Sequence, residues 1–181
     1  ISACLVGSEM CIRDRPDDWE PKRELLVERL GEVVDYCAGR GVVLALEPHV
    51  SSMVDSVERI QWLFDKIPSR SFSLNFDISH FEVQGIPMEV TIPALAPLSS
   101  RTHVKDERGR APDHEFLIPG EGEFDYVKYL KLLRQSGYDG YVTVEVSVMV
   151  QRRPNFDPLD AAAQSYRTLD AAFRDAGISR G

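Results

Sequence analysis

Residues 42–48 read VVLALEP, an uninterrupted apolar run that ends in a glutamate and a proline. A short run of this kind is typical of a parallel strand buried on both faces. Similar strand patterns occur at 72–77 (FSLNFD), 101–106 (RTHVKD) and 141–146 (YVTVEV). The stretches between these four predicted strands carry apolar residues at helical spacing. This alternation indicates βαβ units and a parallel sheet, the α/β fold class.

The helical spacing predicts helices over 19–39, 55–67, 124–136 and 158–175, and a shorter one over 88–97. We interpret residues 107–122 as a loop. The first helix is expected to turn these apolar residues inward: Leu25, Leu26, Leu30, Val33, Val34 and Cys37. No linker or low-complexity tract interrupts the chain after Asp17, which predicts one domain.

The first fifteen residues differ from the rest. The string LVGSEMCIRDR at 5–15 shows no periodicity, helix cap or leader-peptide pattern. Its back-translation resembles the adaptor that transposase-based sequencing libraries attach. We therefore predict that residues 1–15 are a non-native, loosely packed segment and that residues 16–181 form the native domain.

Composition narrows the class of protein. The chain has 181 residues, of which 43% are hydrophobic, enough for one core. Its net charge of −8 argues against a nucleic-acid partner, because binding phosphate backbones requires basic surfaces. No apolar run approaches the roughly 18 to 20 residues that span a membrane. The cysteines form no framework spacing, which favours a reducing, cytoplasmic setting. A small polar substrate fits this composition best.

Each predicted strand ends in a side chain that can bind a metal: Glu47, Asp77, His103 and Glu145. In (β/α) barrels the carboxyl ends of the strands converge on one site. Three carboxylates and one imidazole favour Mn²⁺, Co²⁺ or Mg²⁺, with Zn²⁺ left open. Because side chains alternate along a strand, Lys105 shares the face of His103 and is expected to reach the site. The alternative is that Lys105 pairs with an acidic neighbour at the mouth of the strand.

Five motifs, taken in order, resemble the xylose isomerase-like sugar phosphate isomerases and epimerases, a family that includes ketose 3-epimerases, hydroxypyruvate isomerases and inosose dehydratases. They are LALEPH, NFDISH, THVKD, IPGEGEFDY and GYDGYVTVEV. The resemblance covers residues 16–181. It implies a (β/α)8 TIM barrel, of which this chain supplies the C-terminal half, strands five to eight.

The resemblance also implies roles for particular residues. It makes Glu47, Asp77, His103 and Glu145 the ligands of one divalent metal, with Glu47 and Glu145 removing and returning a proton next to a carbonyl through an enediolate. Substrate contacts are expected from His80, Lys105, Arg108 and His114. Two positions depart from the epimerases: their arginine lies one residue further from the histidine than Arg108, and Met53 stands where they carry a substrate-binding glutamate.

Several functions stay open at this point. The expected partner is a small sugar or sugar phosphate, turned over by an isomerase or epimerase or, alternatively, by an inosose dehydratase-type lyase. An apurinic endonuclease shares part of the ligand set, but its loop needs a D-x-H pair where this chain has Asp113-His114. An inactive half-barrel is the remaining alternative. The fifth and eighth strands would present unpaired edges, which favours homo-oligomers.

Overall fold

The computed structural model describes residues 14–179. The predicted loose packing of residues 1–15 therefore lies, apart from Asp14 and Arg15, outside the described residues. The helices are α1 (Trp19–Ala38), α2 (Val57–Lys66), α3 (Ser79–Glu82), α4 (Met88–Leu95), α5 (Tyr126–Gln135), α6 (Val148–Gln151) and α7 (Pro158–Ala176). The strands are β1 (Leu44–Leu46), β2 (Phe72–Asp77), β3 (Ser99–Val104), β4 (Asp106–Arg110), β5 (Asp113–Leu117) and β6 (Val142–Val144).

Four of the strands form one sheet in the order β1-β2-β3-β6. The pairs β2/β3 and β3/β6 are parallel, and the register sets Asp77 opposite His103 and His103 opposite Thr143. The predicted parallel sheet with helical connections is thus confirmed. Its register brings the ends of neighbouring strands side by side, so side chains at those ends lie close together.

The interpretation of residues 107–122 as a loop is wrong, because β4 and β5 form an antiparallel hairpin there. The turn requires a glycine: Gly109 has φ 80°, and a Cβ at that position would lie 2.6 Å from the Asp113 carbonyl oxygen. The strands are mostly polar, with buried apolar side chains only at Phe116 and Leu117. Apolar alternation therefore gave no signal for a strand pair.

The chain divides into two compact units, and the first comprises residues up to 44 together with 48–72. Its two helices bury Trp19, Val34, Cys37, Val57, Ile60 and Leu63. The predicted burial of Cys37 is confirmed. Leu25 and Val33 are instead 52% and 46% exposed. They lie beside the stripe of Leu26, Leu30, Val34 and Cys37, which is the narrower face that this helix turns inward.

The second unit comprises residues 45–47 and 73 onward. It contains the ends of the sheet strands, the hairpin, and helices α3 to α7. Helix α7 buries Ala161, Ser165, Leu169 and Ala172 at the three- and four-residue spacing of one helical face. It packs against α5. No helix between residues 14 and 179 is both long and apolar enough to cross a membrane.

Candidate metal centre

The four predicted ligands come together at the strand ends of the second unit. Glu47 follows β1, Asp77 closes β2, His103 is the penultimate residue of β3, and Glu145 follows β6. One donor atom from each of these residues lies within 4.8 Å of the donor atoms of the others. The convergence expected from parallel strands is therefore observed.

Glu47 and His103 form one side of this cluster. Their side chains are 27% and 24% exposed, and His103 Nδ1 lies 3.2 Å from Glu47 Oε1. This hydrogen bond raises the pKa of the His103 imidazole, against the opposing effect of burial. Asn75 joins the pair, since its Nδ2 donates to Glu47 Oε2 at 3.0 Å. Both carboxylate oxygens of Glu47 are thus held by neighbours.

The opposite side is built around Lys105, where Lys105 and Asp77 are buried and Glu145 is 37% exposed. The ammonium Nζ donates to Asp77 Oδ2 at 2.5 Å and also to Glu145 Oε2. His80 Nε2 lies 3.4 Å from the same ammonium. The Lys105 side chain is only 2% exposed, and its ammonium lies against two of the four predicted ligands. Lys105 pairs with Asp77 and Glu145. The alternative, that it pairs with an acidic neighbour at the mouth of the strand, is therefore wrong.

Charges and hydrogen bonds decide the ionisation of Asp77. Burial alone would raise the pKa of this carboxyl group, but the charges of Lys105 and His80, with hydrogen bonds from Lys105 and Ser79, hold the pKa below its usual range. Ser79 donates to Asp77 Oδ1 from both Oγ and the backbone nitrogen, at 2.6 and 3.0 Å.

The pKa of Lys105 is raised: burial would lower it, and the carboxylates of Asp77 and Glu145 outweigh that effect. Burial raises the pKa of Glu145, against the opposing charge of Lys105.

The donor set fits a divalent cation. Three carboxylates and one imidazole are the ligands that Mn²⁺, Co²⁺ and Mg²⁺ accept, with further positions left for substrate or water. The Nδ2 atom of Asn75 lies near Glu47 and His103, while its Oδ1 atom is buried and has no hydrogen-bond partner among the described residues. A buried acceptor of this kind normally has a partner. It is therefore suited to receive a hydrogen bond from a molecule bound at the centre.

The hairpin covers His80 and Lys105 through Phe116. The Phe116 ring centroid lies 5.0 Å from that of His80 and 4.7 Å from Lys105 Nζ. His114 packs edge-on against the same ring at 4.8 Å. Arg108 points elsewhere, because its guanidinium donates to the Glu121 carbonyl oxygen at 2.8 Å. Of the four predicted substrate contacts, His80 and Lys105 thus lie beside the ligand cluster, whereas Arg108 and His114 belong to the hairpin.

Sequence reasoning missed the function of Asp106 as an anchor for the loop after the hairpin. Its buried carboxylate accepts hydrogen bonds from the backbone nitrogens of Gly120 at 2.8 Å, Phe124 at 3.1 Å and Glu107 at 3.0 Å. A Cβ at Gly122 would collide with this carboxylate. The glycines of IPGEGEFDY were the available signal, because glycine permits close backbone approach.

Glu107, the next residue, is also buried; with Asp106 it is one of the two acidic neighbours that the sequence offered as partners for Lys105. Its side chain makes no such pair, and Oε2 has no hydrogen-bond partner within residues 14–179. Burial, together with the nearby carboxylate of Asp106, raises the pKa of Glu107 to about 9. Glu107 is therefore protonated and neutral at pH 7.

The strand order and the ligand cluster can be compared with known proteins. Residues 4–172 match the family described as xylose isomerase-like TIM barrel. The chain belongs to this family. The family assignment confirms the predicted fold type and the resemblance drawn from the five motifs.

Relatives in this family carry more than one activity. Fructoselysine 3-epimerase of Escherichia coli O157:H7 is 31% identical over 133 residues, covering 71% of this chain and 47% of that protein. Inosose dehydratase of Lacticaseibacillus casei is 25% identical over 172 residues, covering 87% of this chain and 55% of that protein. A xylose isomerase-like TIM barrel protein from Mycobacterium smegmatis, solved in complex with magnesium, superposes with a TM-score of 0.64 at 20% identity, covering 87% of this chain and 52% of that one. The chain spans about half the length of the curated relatives it matches.

Proposed function

We propose that this chain is the C-terminal half, strands five to eight, of a divalent-metal-dependent isomerase or epimerase that acts on a sugar or sugar phosphate. The observation that carries the proposal is the convergence of Glu47, Asp77, His103 and Glu145, whose donor atoms lie within 4.8 Å of one another. Its similarity to a fructoselysine 3-epimerase and its coverage of about half of that protein support the proposal.

Glu47, Asp77, His103 and Glu145 would hold the metal, with Mn²⁺, Co²⁺ or Mg²⁺ favoured and Zn²⁺ left open by the donor set. A divalent cation bound there supplies Lewis-acid polarisation of a carbonyl, which acidifies the adjacent C–H bond. Asp77 suits a permanent ligand, because its lowered pKa keeps it ionised. Its two hydrogen bonds from Ser79 fix the orientation of the carboxylate.

Glu47 and Glu145 are the proposed proton carriers. They come from strands at opposite edges of the four-stranded sheet, β1 and β6, so each approaches the cluster from its own side. One carboxylate oxygen takes the proton from the carbon next to the carbonyl, and the other glutamate returns a proton. General acid-base catalysis of this kind contributes roughly 10² to 10⁴ in rate. His80, Lys105, Arg108 and His114 are the proposed substrate contacts.

An inosose dehydratase-type lyase is the second candidate, favoured by the similarity to the Lacticaseibacillus casei enzyme over 87% of this chain. It begins with the same proton abstraction and then expels a hydroxyl group. The two candidates differ in their products: the isomerase or epimerase keeps every atom of the substrate, whereas the lyase releases water. Mass analysis of products from ketoses and inososes separates them.

The experiment that tests the mechanism is solvent deuterium incorporation next to the carbonyl, in the full-length enzyme with metal occupancy checked for each variant. Glu145→Gln and Glu47→Gln keep the shape and one coordinating oxygen but cannot accept a proton at neutral pH. We expect each to lower exchange by roughly 10² or more, and Lys105→Ala to lower it less. If both fully metallated glutamine variants exchange at the wild-type rate, neither glutamate is the base.

A further inference from the structure

Lys105 occupies an unusual position for a cation. Its ammonium donates to Asp77 Oδ2 and to Glu145 Oε2, two of the four proposed metal ligands. The side chain is 2% exposed and passes under Phe116, whose ring centroid lies 4.7 Å from Nζ. The charge of Lys105 is therefore placed inside the ligand cluster rather than at its rim.

The electrostatics of the cluster explain why a cation lies there. Three carboxylates within 4.8 Å of one another and of His103 repel each other strongly when partly buried. Burying such charges costs free energy unless they are paired. Lys105 supplies the positive charge that the metal-free cluster needs.

A metal would require the same oxygen atoms. Oδ1 of Asp77 is already taken by two hydrogen bonds from Ser79, which leaves Oδ2 as the oxygen directed at a cation. Lys105 donates to that same Oδ2 at 2.5 Å. A dication and an ammonium group that share one oxygen atom repel each other at short range.

We propose that Lys105 is a resident cation that exchanges with the metal. It pairs with Asp77 and Glu145 when the metal is absent, and its ammonium withdraws from Asp77 Oδ2 when the metal binds. The inference rests on the metal dependence of the proposed function and deepens it. Metal loading then frees the Lys105 ammonium to donate to a substrate oxygen, so the substrate contact forms only in the loaded site.

The test is metal affinity, measured with MnCl₂ and with MgCl₂ by calorimetry on Lys105→Met, which keeps the length and apolar stem of lysine without its charge. We expect dissociation constants lower by roughly tenfold or more than those of the wild type. The metal-free melting temperature should fall, because the carboxylates lose their counter-ion, and the rise in melting temperature on adding metal should grow. Lys131→Met, at an exposed position of α5, is the matched control and should change neither quantity.

Each outcome is decisive. An equal or weaker metal affinity in Lys105→Met overturns the exchange, while the proposed function stands if the wild type binds metal and carries out deuterium exchange. Tighter binding without any exchange activity supports the inference and counts against the proposed function. If neither the wild type nor Lys105→Met binds metal, the cation exchange and the proposed function are both wrong. Should Lys105→Met fail to fold, Lys105→Gln keeps a hydrogen-bond donor without the charge and must show the same direction of change.

Discussion

Asp77 and Glu107 are two buried carboxyl groups of the same unit with opposite ionisation. Asp77 is 0% exposed and its pKa is held below the usual range, whereas Glu107 is 6% exposed and its pKa is raised to about 9. Lys105 donates a hydrogen bond to Asp77, whereas it affects Glu107 only through its charge at a distance. The carboxylates of Asp106 and Glu82 add to the effect of burial on Glu107. Burial makes a charge costly, and the presence or absence of a contacting cation decides whether the charge survives.

The difference separates a proposed metal ligand from a carboxyl group outside the ligand cluster. Asp77 stays ionised and can bind a cation, while Glu107, neutral at pH 7, is a hydrogen-bond donor and a poor metal ligand. The strand pattern assigned Asp77 to the ligand set and Glu107 to a loop. It could not show which of the two carboxyl groups has a contacting cation. The paired charge at Asp77 and the unpaired carboxyl at Glu107 can be tested separately.

The largest effect is expected from Asp77→Asn, which breaks the buried pair with Lys105. Removing one partner of a buried ion pair costs about 3 to 5 kcal/mol when the other charge is left uncompensated. Lys105 keeps its contact with Glu145, so we expect a cost near the lower end, about 3 kcal/mol. The measurement is the free energy of unfolding of the metal-free protein in urea. Glu47→Gln, on the partly exposed side, is the matched control and should cost less than about 1 kcal/mol. Similar costs for the two variants would contradict the contrast between the buried carboxylate of Asp77 and the partly exposed carboxylate of Glu47.

The next effect concerns pH. Because the pKa of Glu107 is raised in the folded state, its contribution to stability is complete below the ordinary carboxyl pKa and is lost as pH rises towards about 9. The free energy of unfolding should therefore fall between pH 5 and 8, by at most about 1.4 kcal/mol per pH unit. Glu107→Gln keeps the shape without the titration and should flatten this slope. Glu115→Gln, exposed on the same hairpin, should leave the slope as it is. An unchanged slope in Glu107→Gln would show that this carboxyl is ionised in the folded protein.

The smallest effect is expected at His103, where the pair is partly open to solvent. The hydrogen bond that His103 donates to the Glu47 carboxylate raises the pKa of His103, so its stabilising contribution is present below the ordinary imidazole pKa and is lost as pH rises through the folded value. Glu47→Gln should lower the pKa of His103, as followed by NMR titration of the imidazole protons in the metal-free protein. Glu123→Gln, at an exposed position, should not move it. No response to Glu47→Gln would mean that another group holds the proton on His103.

The strand ends were predictable because parallel strands fix where their last side chains lie. Glu47, Asp77, His103 and Glu145 could thus be grouped before any distance was known, and the alternation rule placed Lys105 with them. Its two carboxylate partners could not be predicted, because alternation gives the face of a residue and not its distance to a neighbour. The position of Phe116 beside His80 was missed for a related reason. The contact depends on the hairpin, which was not predicted because its strands are mostly polar. Leu25 and Val33 of α1 were predicted to face inward and are exposed. Apolar spacing gives the direction of the buried face of a helix but not its width.

The hydrogen bonds of the Asp106 carboxylate affect how molecules can reach the ligand cluster. By holding the amides of Gly120 and Phe124, one carboxylate fastens the hairpin to the loop that follows it. Opening that wall would break several buried hydrogen bonds at once, so the hairpin and loop are expected to move as one cooperative unit and to open rarely. If the proposed function holds, the metal and the substrate then reach the centre past the partly exposed side chains of Glu47, His103 and Glu145.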